Sequence, residues 1–157
     1  MTLDIRPFDV ADTEPVVALW HAAGLTRPWN DPHRDIERKL AVQPELFLVA
    51  VDGDVVVGTV MAGYDGHRGW LYYLASAPDR RNEGIATEAM HAAIDDLWGR
   101  TDAESITAYI EHGEEKEPSR RLAAKLGFAV RGPGRGRSGE PMTVYELLQD
   151  VRRGRRR

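Results

Sequence analysis

The chain has 157 residues, a formal net charge of −4 and no cysteine. Its length predicts one compact domain, and its 42% hydrophobic and 29% charged residues are typical of a globular protein rather than a disordered chain. The lack of cysteine excludes disulfides and thiol nucleophiles and argues against a structural zinc site, so we expect no metal. No apolar run reaches the roughly 20 residues of a transmembrane helix, and the start lacks a signal-peptide core, so we expect a cytoplasmic protein with no membrane partner.

Apolar periodicity and turn residues predict the elements in the order βααβββαβαββ. The predicted strands are 3–8, 46–51, 55–61, 70–77, 105–110, 128–130 and 143–148. The predicted helices are centred on 16–20, 32–40, 84–98 and 118–126. Interleaved strands and helices favour an α/β or α+β layer fold around a mixed sheet. We assign residues 1–150 to a single domain and 151–157 to a basic C-terminal tail, and the composition of 132–139 predicts a mobile loop.

The segment Arg81-Asn82-Glu83-Gly84-Ile85-Ala86-Thr87 lies between a predicted strand and the long third helix. The first turn of a helix presents unpaired N–H groups and a partial positive charge, which attract phosphate. Gly84 and Ala86 leave the backbone bare enough for a pyrophosphate to approach. Small residues at a helix start also serve close packing, so the spacing alone leaves both interpretations open. The segment is not a dinucleotide fingerprint or a P-loop, because it lacks both of those motifs.

In this context the sequence resembles the GNAT superfamily of N-acetyltransferases over most of its length. The family motif Arg/Gln-x-x-Gly-x-Gly/Ala matches at Arg81, Gly84 and Ala86, after a strand and Pro78. A later helix ends in the second family mark, Leu-Gly-Phe, at 126–128. The N-terminal half is still more similar to a bacterial subgroup, the YpeA-like acetyltransferases. The segments that carry this second similarity are 27–32, 35–39 and 63–69.

The resemblance implies a GNAT-type single domain with a mixed, mostly antiparallel, twisted sheet flanked by helices. It also implies an acyltransferase that moves the acetyl group of acetyl-CoA, its cosubstrate, directly to a primary amine. Backbone N–H groups of residues 82–87 would hold the pyrophosphate of CoA, and the backbone of 74–76 would pair with the pantetheine arm and supply an oxyanion donor. The cofactor-binding residues implied in this way are Leu74, Ala75, Ser76, Arg81, Asn82, Glu83, Gly84, Ile85, Ala86 and Thr87.

The acid–base residues depart from the family pattern. Relatives often have a tyrosine at the position of Ala123 and an asparagine at that of Lys116, and many carry a glutamate base on the strand before the phosphate loop. The corresponding stretch 69–78 contains no carboxylate. Tyr72 and Tyr73 are therefore the catalytic candidates, because neighbouring strand residues alternate faces and one of the two must point toward the cofactor side.

The family layout also implies which segments line the acceptor side, and Asp31, Asp35, Asp65 and His67 lie in them as further candidates to replace the missing acid or base. The candidate substrate-binding residues there are Trp29, Asn30, Asp31, Asp65 and His67. Asp31 is explained more simply as a helix cap and His67 as a turn residue. Trp29, an aromatic residue between two prolines, fits a substrate wall as well as it fits a core anchor.

Two other functions stay open at this point. Ala123 favours a non-catalytic module of the same fold that binds CoA or acyl-CoA and regulates a partner. The arginine-rich tail 152–157 and the Gly-Arg loop 134–137 favour a protein associated with nucleic acid, against which the acidic overall balance argues. The sequence does not identify the acceptor amine, and it leaves a homodimer open.

Overall fold

The computed structural model describes residues 3–136 and 138–149, so the predicted tail 151–157 lies outside the described residues. Within these ranges the helices are α1 (Thr13–Ala22), α2 (Pro32–Ala41), α3 (Ile85–Arg100) and α4 (Glu117–Lys125). The strands are β1 (Leu3–Pro7), β2 (Phe47–Asp52), β3 (Val55–Tyr64), β4 (Gly69–Ser76), β5 (Ser105–Glu111), β6 (Ala129–Arg135) and β7 (Pro141–Leu148). Their order along the chain is the predicted one.

Hydrogen bonding arranges the seven strands in the order β1-β2-β3-β4-β5-β7-β6. The pair β4–β5 is parallel, whereas β1–β2, β2–β3, β5–β7 and β6–β7 are antiparallel. These pairings confirm the predicted α/β class with a mixed, mostly antiparallel sheet. The long stretch between β4 and β5 is expected, because parallel neighbours need a crossover connection, and here α3 supplies it.

Two compact units are distinguished by the density of their internal contacts. The first contains the described residues up to Gly63 together with Tyr72–Asp96, and the second contains Tyr64–Leu71 and the described residues from Leu97 onward. The single domain predicted from chain length stays a prediction. None of the described helices has the length and hydropathy that a membrane span requires.

The core of the first unit collects apolar side chains from α1, α2, β2, β3 and β4. Trp20 and Phe47 are fully buried, and Phe8 stacks on Phe47 with ring centroids 4.4 Å apart. Burial of an apolar side chain of this size contributes roughly 1.5–3 kcal/mol. The buried members of the cluster are Phe8, Val16, Val17, Leu19, Trp20, Ile36, Phe47, Val49, Val51, Met61 and Ala75.

Helix α2 begins as the sequence predicts. The Asp31 carboxylate accepts hydrogen bonds from the backbone N–H of His33 at 3.0 Å and of Arg34 at 3.4 Å, and Pro32 is the first helical residue. Its amphipathic face buries Ile36 and Lys39. The cap therefore fixes where the helix starts, and with it the register of the side chains that α2 directs into the first unit.

The structure corrects the prediction of a loop over 132–139. Strand β6 continues to Arg135, and its register with β7 pairs Pro133 with Thr143 and Gly134 with Met142. A proline is tolerated there because β6 is the last strand of the sheet order, where a backbone N–H on the outer side has no partner to lose. Glycine and proline content alone therefore predicted a longer loop than the structure has.

The ion pair between β1 and the turn before α1 gives a prediction for acid stability. Arg6 Nη1 lies 2.7 Å from Asp12 Oδ2 and Arg6 Nη2 lies 3.0 Å from Oδ1, and these hydrogen bonds lower the pKa of Asp12 below its ordinary value. A carboxylate whose folded pKa is depressed stabilises the fold above its unfolded pKa of ~3.9, and that stability is lost as the pH falls through the folded value.

Asp12→Asn should therefore lower the free energy of unfolding by about 1–2 kcal/mol at pH 7, and the deficit should shrink as the pH falls below ~4. Urea denaturation of both proteins between pH 7 and pH 2 measures this difference. A deficit of constant size across the whole range would contradict the ionic origin of the stabilisation.

Candidate functional site

The segment that leads into α3 exposes its backbone through two left-handed residues. Asn82 has φ 67° and Gly84 has φ 79°, and residues 81–84 are all exposed. The first helical hydrogen bond runs from the Glu88 N–H to the Gly84 carbonyl at 3.0 Å, so the N–H groups of 85–87 precede it and have no partner within the helix. Left-handed residues in such a turn direct successive N–H groups to one side and form a concavity that binds anions.

Close packing fixes the position of this helix start. Ile85 is buried and packs with Ala50 and Val57. A Cβ on Gly58 would lie 2.7 Å from Ile85 Cγ2, so glycine is needed in β3 for α3 to approach. Gly58 was not among the predicted site residues, although an isolated glycine inside a strand pattern is the usual signal of such a close approach.

The two arginines before the helix differ in their partners. Arg80 Nη2 lies 2.8 Å from Asp52 Oδ2 and 3.0 Å from Glu83 Oε1, and these hydrogen bonds raise its pKa. Arg81 is exposed and has no hydrogen-bond or ion-pair partner among the described residues. Arg80 is therefore engaged by Asp52 and Glu83, whereas Arg81 is available to bind an anion.

Strand β4 bends where the two predicted catalytic tyrosines lie. Its parallel register with β5 covers Gly69, Trp70 and Leu71, and the strand then continues into the first unit. Tyr73 has φ 53°, a left-handed backbone conformation that is rare for a bulky residue. The regular alternation of faces that the sequence analysis assumed for Tyr72 and Tyr73 is therefore interrupted at this point.

The two tyrosines have different environments. The Tyr73 ring stacks on Trp20 with centroids 4.1 Å apart, and its hydroxyl donates a hydrogen bond to the Asp35 carboxylate. The Tyr72 side chain is 42% exposed, and its hydroxyl makes no hydrogen bond with any residue that the structure describes. Partial burial raises the pKa of Tyr72, which favours the protonated hydroxyl. Of the two, Tyr72 is the one that can give a proton to a bound molecule.

Lys39 is a buried cation beside Tyr72. It is 6% exposed, its Nζ donates to the Ala62 carbonyl at 2.5 Å, and burial lowers its pKa. The Nζ atom also lies 5.9 Å from the centroid of the Tyr72 ring. A Cβ on Gly63 would lie 3.1 Å from the Tyr72 hydroxyl oxygen, so glycine leaves room for that hydroxyl. Neither Lys39 nor Gly63 was predicted as a site residue, although both belong to the segments 35–39 and 63–69 that carry the YpeA-like similarity.

Three of the predicted acceptor residues lie together in the connection between α1 and α2. Trp29 is 43% exposed, the Asn30 N–H donates to the Arg27 carbonyl at 3.0 Å, and Asp31 caps α2. The capping role of Asp31 accounts for one of its carboxylate oxygens and agrees with the simpler explanation of that residue.

The other two predicted acceptor residues belong to the second unit. The Asp65 carboxylate accepts hydrogen bonds from the N–H groups of Arg68 and His67 and from the Trp70 indole, and these bonds lower its pKa to about 2. Asp65 is therefore an ionised turn former, and His67 is an exposed member of the same turn. The carboxylate of Asp65 already has hydrogen-bond partners on both of its oxygens.

At the positions where relatives often carry a tyrosine acid and an asparagine, this chain has Ala123 and Lys116. Ala123 is buried on α4, and Lys116 lies in the turn before that helix. Among the described residues, no group of histidines and carboxylates is arranged to hold a metal ion.

Comparison with known proteins gives one family. Residues 15–128 match the model of the acetyltransferase (GNAT) family. A Yersinia enterocolitica protein named an acetyltransferase is 56% identical over 84 residues, which are 54% of this chain and 60% of that protein. An acetyltransferase of Sodalis glossinidius matches over 84 residues with the same identity and 59% of its length, so the chain spans about 60% of the length of these curated relatives.

Solved structures share the fold. A GNAT-family protein from Desulfovibrio desulfuricans has a TM-score of 0.78 at 19% identity, over 94% of this chain and 99% of its own. A Salmonella typhimurium protein determined with its cofactor acetyl-CoA has a TM-score of 0.75 at 25% identity, over 96% of this chain and 95% of its own.

Proposed function

Because the chain belongs to the acetyltransferase (GNAT) family, we propose that it transfers the acetyl group of acetyl-CoA directly to a primary amine. The observation that carries this proposal is the start of α3, where left-handed Asn82 and Gly84 present bare, exposed backbone beside Arg81. Partial positive charge and N–H donors at a helix N-terminus suit a pyrophosphate. Within the family, the segments 27–32, 35–39 and 63–69 support the YpeA-like subgroup, and the cytoplasmic location stays a prediction.

The cosubstrate would lie along two adjoining stretches of backbone. The N–H groups of 82–87 and the Arg81 guanidinium would hold the pyrophosphate. The pantetheine arm would add to the edge of β4 at 74–76, in the part of the strand that follows the last residue paired with β5. A backbone N–H on that edge would donate to the thioester oxygen as negative charge develops there.

The reaction then needs little from side chains. The neutral amine nitrogen attacks the thioester carbonyl carbon, a C–N bond forms, and the C–S bond breaks as the intermediate collapses. The Tyr72 hydroxyl gives its proton to the departing thiolate, and the proton released from the amine nitrogen restores the tyrosine through water. Proximity and oxyanion stabilisation supply most of the acceleration, while a positioned acid adds typically 10²–10⁴-fold.

We place the acceptor amine beside the connection between α1 and α2, with Trp29 as its exposed apolar wall and Asn30 and Asp31 next to it. Asp65 and His67 are weaker candidates, because the hydrogen bonds within their own turn occupy the Asp65 carboxylate. The acceptor could be a protein N-terminus, a lysine side chain or a small amine.

A second function is favoured by one observation. Ala123 takes the position where relatives often carry the tyrosine acid, so a module of the same fold that binds acyl-CoA without turning it over is the alternative. Thiol release from acetyl-CoA in the presence of a panel of amines separates the two. Tight CoA binding without turnover on any amine would favour the regulatory module.

Gly84→Glu should reduce the affinity for CoA by at least about 100-fold, because the added carboxylate would occupy and repel the pyrophosphate site. The matched control is Gly24→Glu, since Gly24 has a similar left-handed φ of 72° and equally open surroundings. Both variants carry the same backbone strain and charge change, but only the first should lose CoA in calorimetric titration. If Gly84→Glu binds CoA as the wild type does, the pyrophosphate lies elsewhere.

Tyr72→Phe should lower kcat by between ~10-fold and ~10³-fold with unchanged CoA binding, because the thiolate then takes its proton from water. The matched control is Tyr109→Phe, a tyrosine of similar exposure in the second unit. With the raised pKa of Tyr72, the wild-type rate should climb with pH as the amine deprotonates and fall only above the ordinary tyrosine value of ~10. A wild-type kcat in Tyr72→Phe would remove this residue from the mechanism.

A further inference from the structure

The left-handed backbone at Tyr73 requires an explanation, because a bulky side chain at φ 53° costs free energy that the surroundings must offset. Conformations of this kind persist only where neighbouring groups over-determine them, and they cluster at functional sites. Tyr73 directly precedes Leu74–Ser76, the backbone proposed to meet the thioester. The contacts that position Tyr73 therefore also set the direction of the Leu74–Ser76 backbone that follows it.

Two contacts with buried side chains of the core position Tyr73. Its ring stacks on the buried Trp20 with an interplanar angle of 23°. Its carbonyl oxygen accepts a hydrogen bond from Thr59 Oγ1 at 2.9 Å, and Thr59 in turn accepts one from the Trp20 indole N–H at 2.9 Å. The ring and the carbonyl are thus tied to the same pair of buried side chains.

A further contact with Tyr73 comes from helix α2. Asp35, whose side chain is 17% exposed, accepts the hydrogen bond of the Tyr73 hydroxyl, and its Oδ1 lies 3.8 Å from Arg38 Nη1. One turn later on the same face, Lys39 lies over the ring of Tyr72. Helix α2 therefore contacts both tyrosines, and the contact through Asp35 fixes the far end of the left-handed one.

We propose that Asp35 is a positioning residue for acetyl transfer, which acts through the Tyr73 hydroxyl to hold the bend in β4 that aims the backbone of Leu74–Ser76. This inference rests on the proposed acetyltransferase function. Because one carboxylate oxygen already accepts the Tyr73 hydroxyl bond, we assign Asp35 to positioning rather than to the role of base for the amine. When the bond is lost, the ring still stacks on Trp20 and the carbonyl still accepts the Thr59 bond, but the hydroxyl end of the ring loses its contact with α2, and the direction of the N–H groups that follow is less strictly fixed.

The first test removes the hydrogen bond between the Tyr73 hydroxyl and the Asp35 carboxylate by replacing each partner in turn. Asp35→Ala and Tyr73→Phe should each lower kcat by ~10- to 100-fold, the size expected for a small misplacement of reacting groups, while CoA binding weakens by a smaller factor, because the pantetheine contacts at 74–76 are displaced but the pyrophosphate contacts at 82–87 are not. The double variant should be no slower than the slower single variant, because both substitutions break one interaction. Multiplied losses in the double variant would show that Asp35 acts independently of Tyr73, and the proposal would fall.

Conservative replacement separates geometry from charge. The amide oxygen of Asp35→Asn can still accept the Tyr73 hydroxyl bond, so kcat should stay within ~3-fold of the wild type. Asp35→Asn with the low activity of Asp35→Ala would point to a base and overturn the positioning role. Asp12→Asn, which weakens an ion pair at the start of α1, is the control for general loss of stability. If it slows turnover as much as Asp35→Ala at a similar melting temperature, the effect of Asp35 is only structural.

A readout without turnover keeps the inference separate from the proposed function. In ¹H–¹⁵N spectra of the free protein, the amide signals of 74–76 should shift in Asp35→Ala and Tyr73→Phe and return toward wild type in Asp35→Asn. Unmoved signals in Asp35→Ala would refute the positioning role whatever the activity. A wild-type protein that acetylates no amine would instead refute the proposed function, and the spectra would still decide whether Asp35 holds the bend.

Discussion

The start of α3 is the constraint on which the functional account depends. Ile85 can be buried against Ala50 and Val57 only because Gly58 removes a side chain from β3 at the point of closest approach. The N–H groups of 85–87 precede the first helical hydrogen bond, so they have no partner within the helix, and they adjoin the exposed turn that carries Gly84. The proposed pyrophosphate site therefore needs no rearrangement at the moment of binding.

The second constraint is the bend in β4. In a strand with regular alternation, Tyr72 and Tyr73 would lie on opposite faces. In the structure, Tyr73 has a left-handed backbone and stacks on Trp20 in the core, whereas the Tyr72 hydroxyl makes no hydrogen bond with any described residue. Two neighbouring tyrosines therefore differ: Tyr73 is held in the core, and Tyr72 has a hydroxyl that is available to a bound molecule.

Much of the fold follows from the sequence, because periodicity, caps and turn residues act locally. Asp31 capped α2 as predicted, and the element order was confirmed, but the sequence could not reveal that β7 pairs with both β5 and β6, since strand order depends on distant contacts. The proposed phosphate segment was also chosen from its small residues, and its role stays a prediction. The different environments of Tyr72 and Tyr73 could not be predicted, because the contacts of Tyr73 with Asp35 and Thr59 join residues distant in sequence, which no local pattern records.

The central claim, that the start of α3 and the adjoining edge of β4 bind CoA, is tested most directly by titrating CoA into ¹⁵N-labelled protein and following every backbone amide. The account predicts that the largest shifts fall on residues 82–87 and 74–76, and that pantetheine, which lacks the pyrophosphate, perturbs 74–76 while leaving 82–87 nearly unchanged. Saturable binding with its largest shifts outside both stretches would contradict the account.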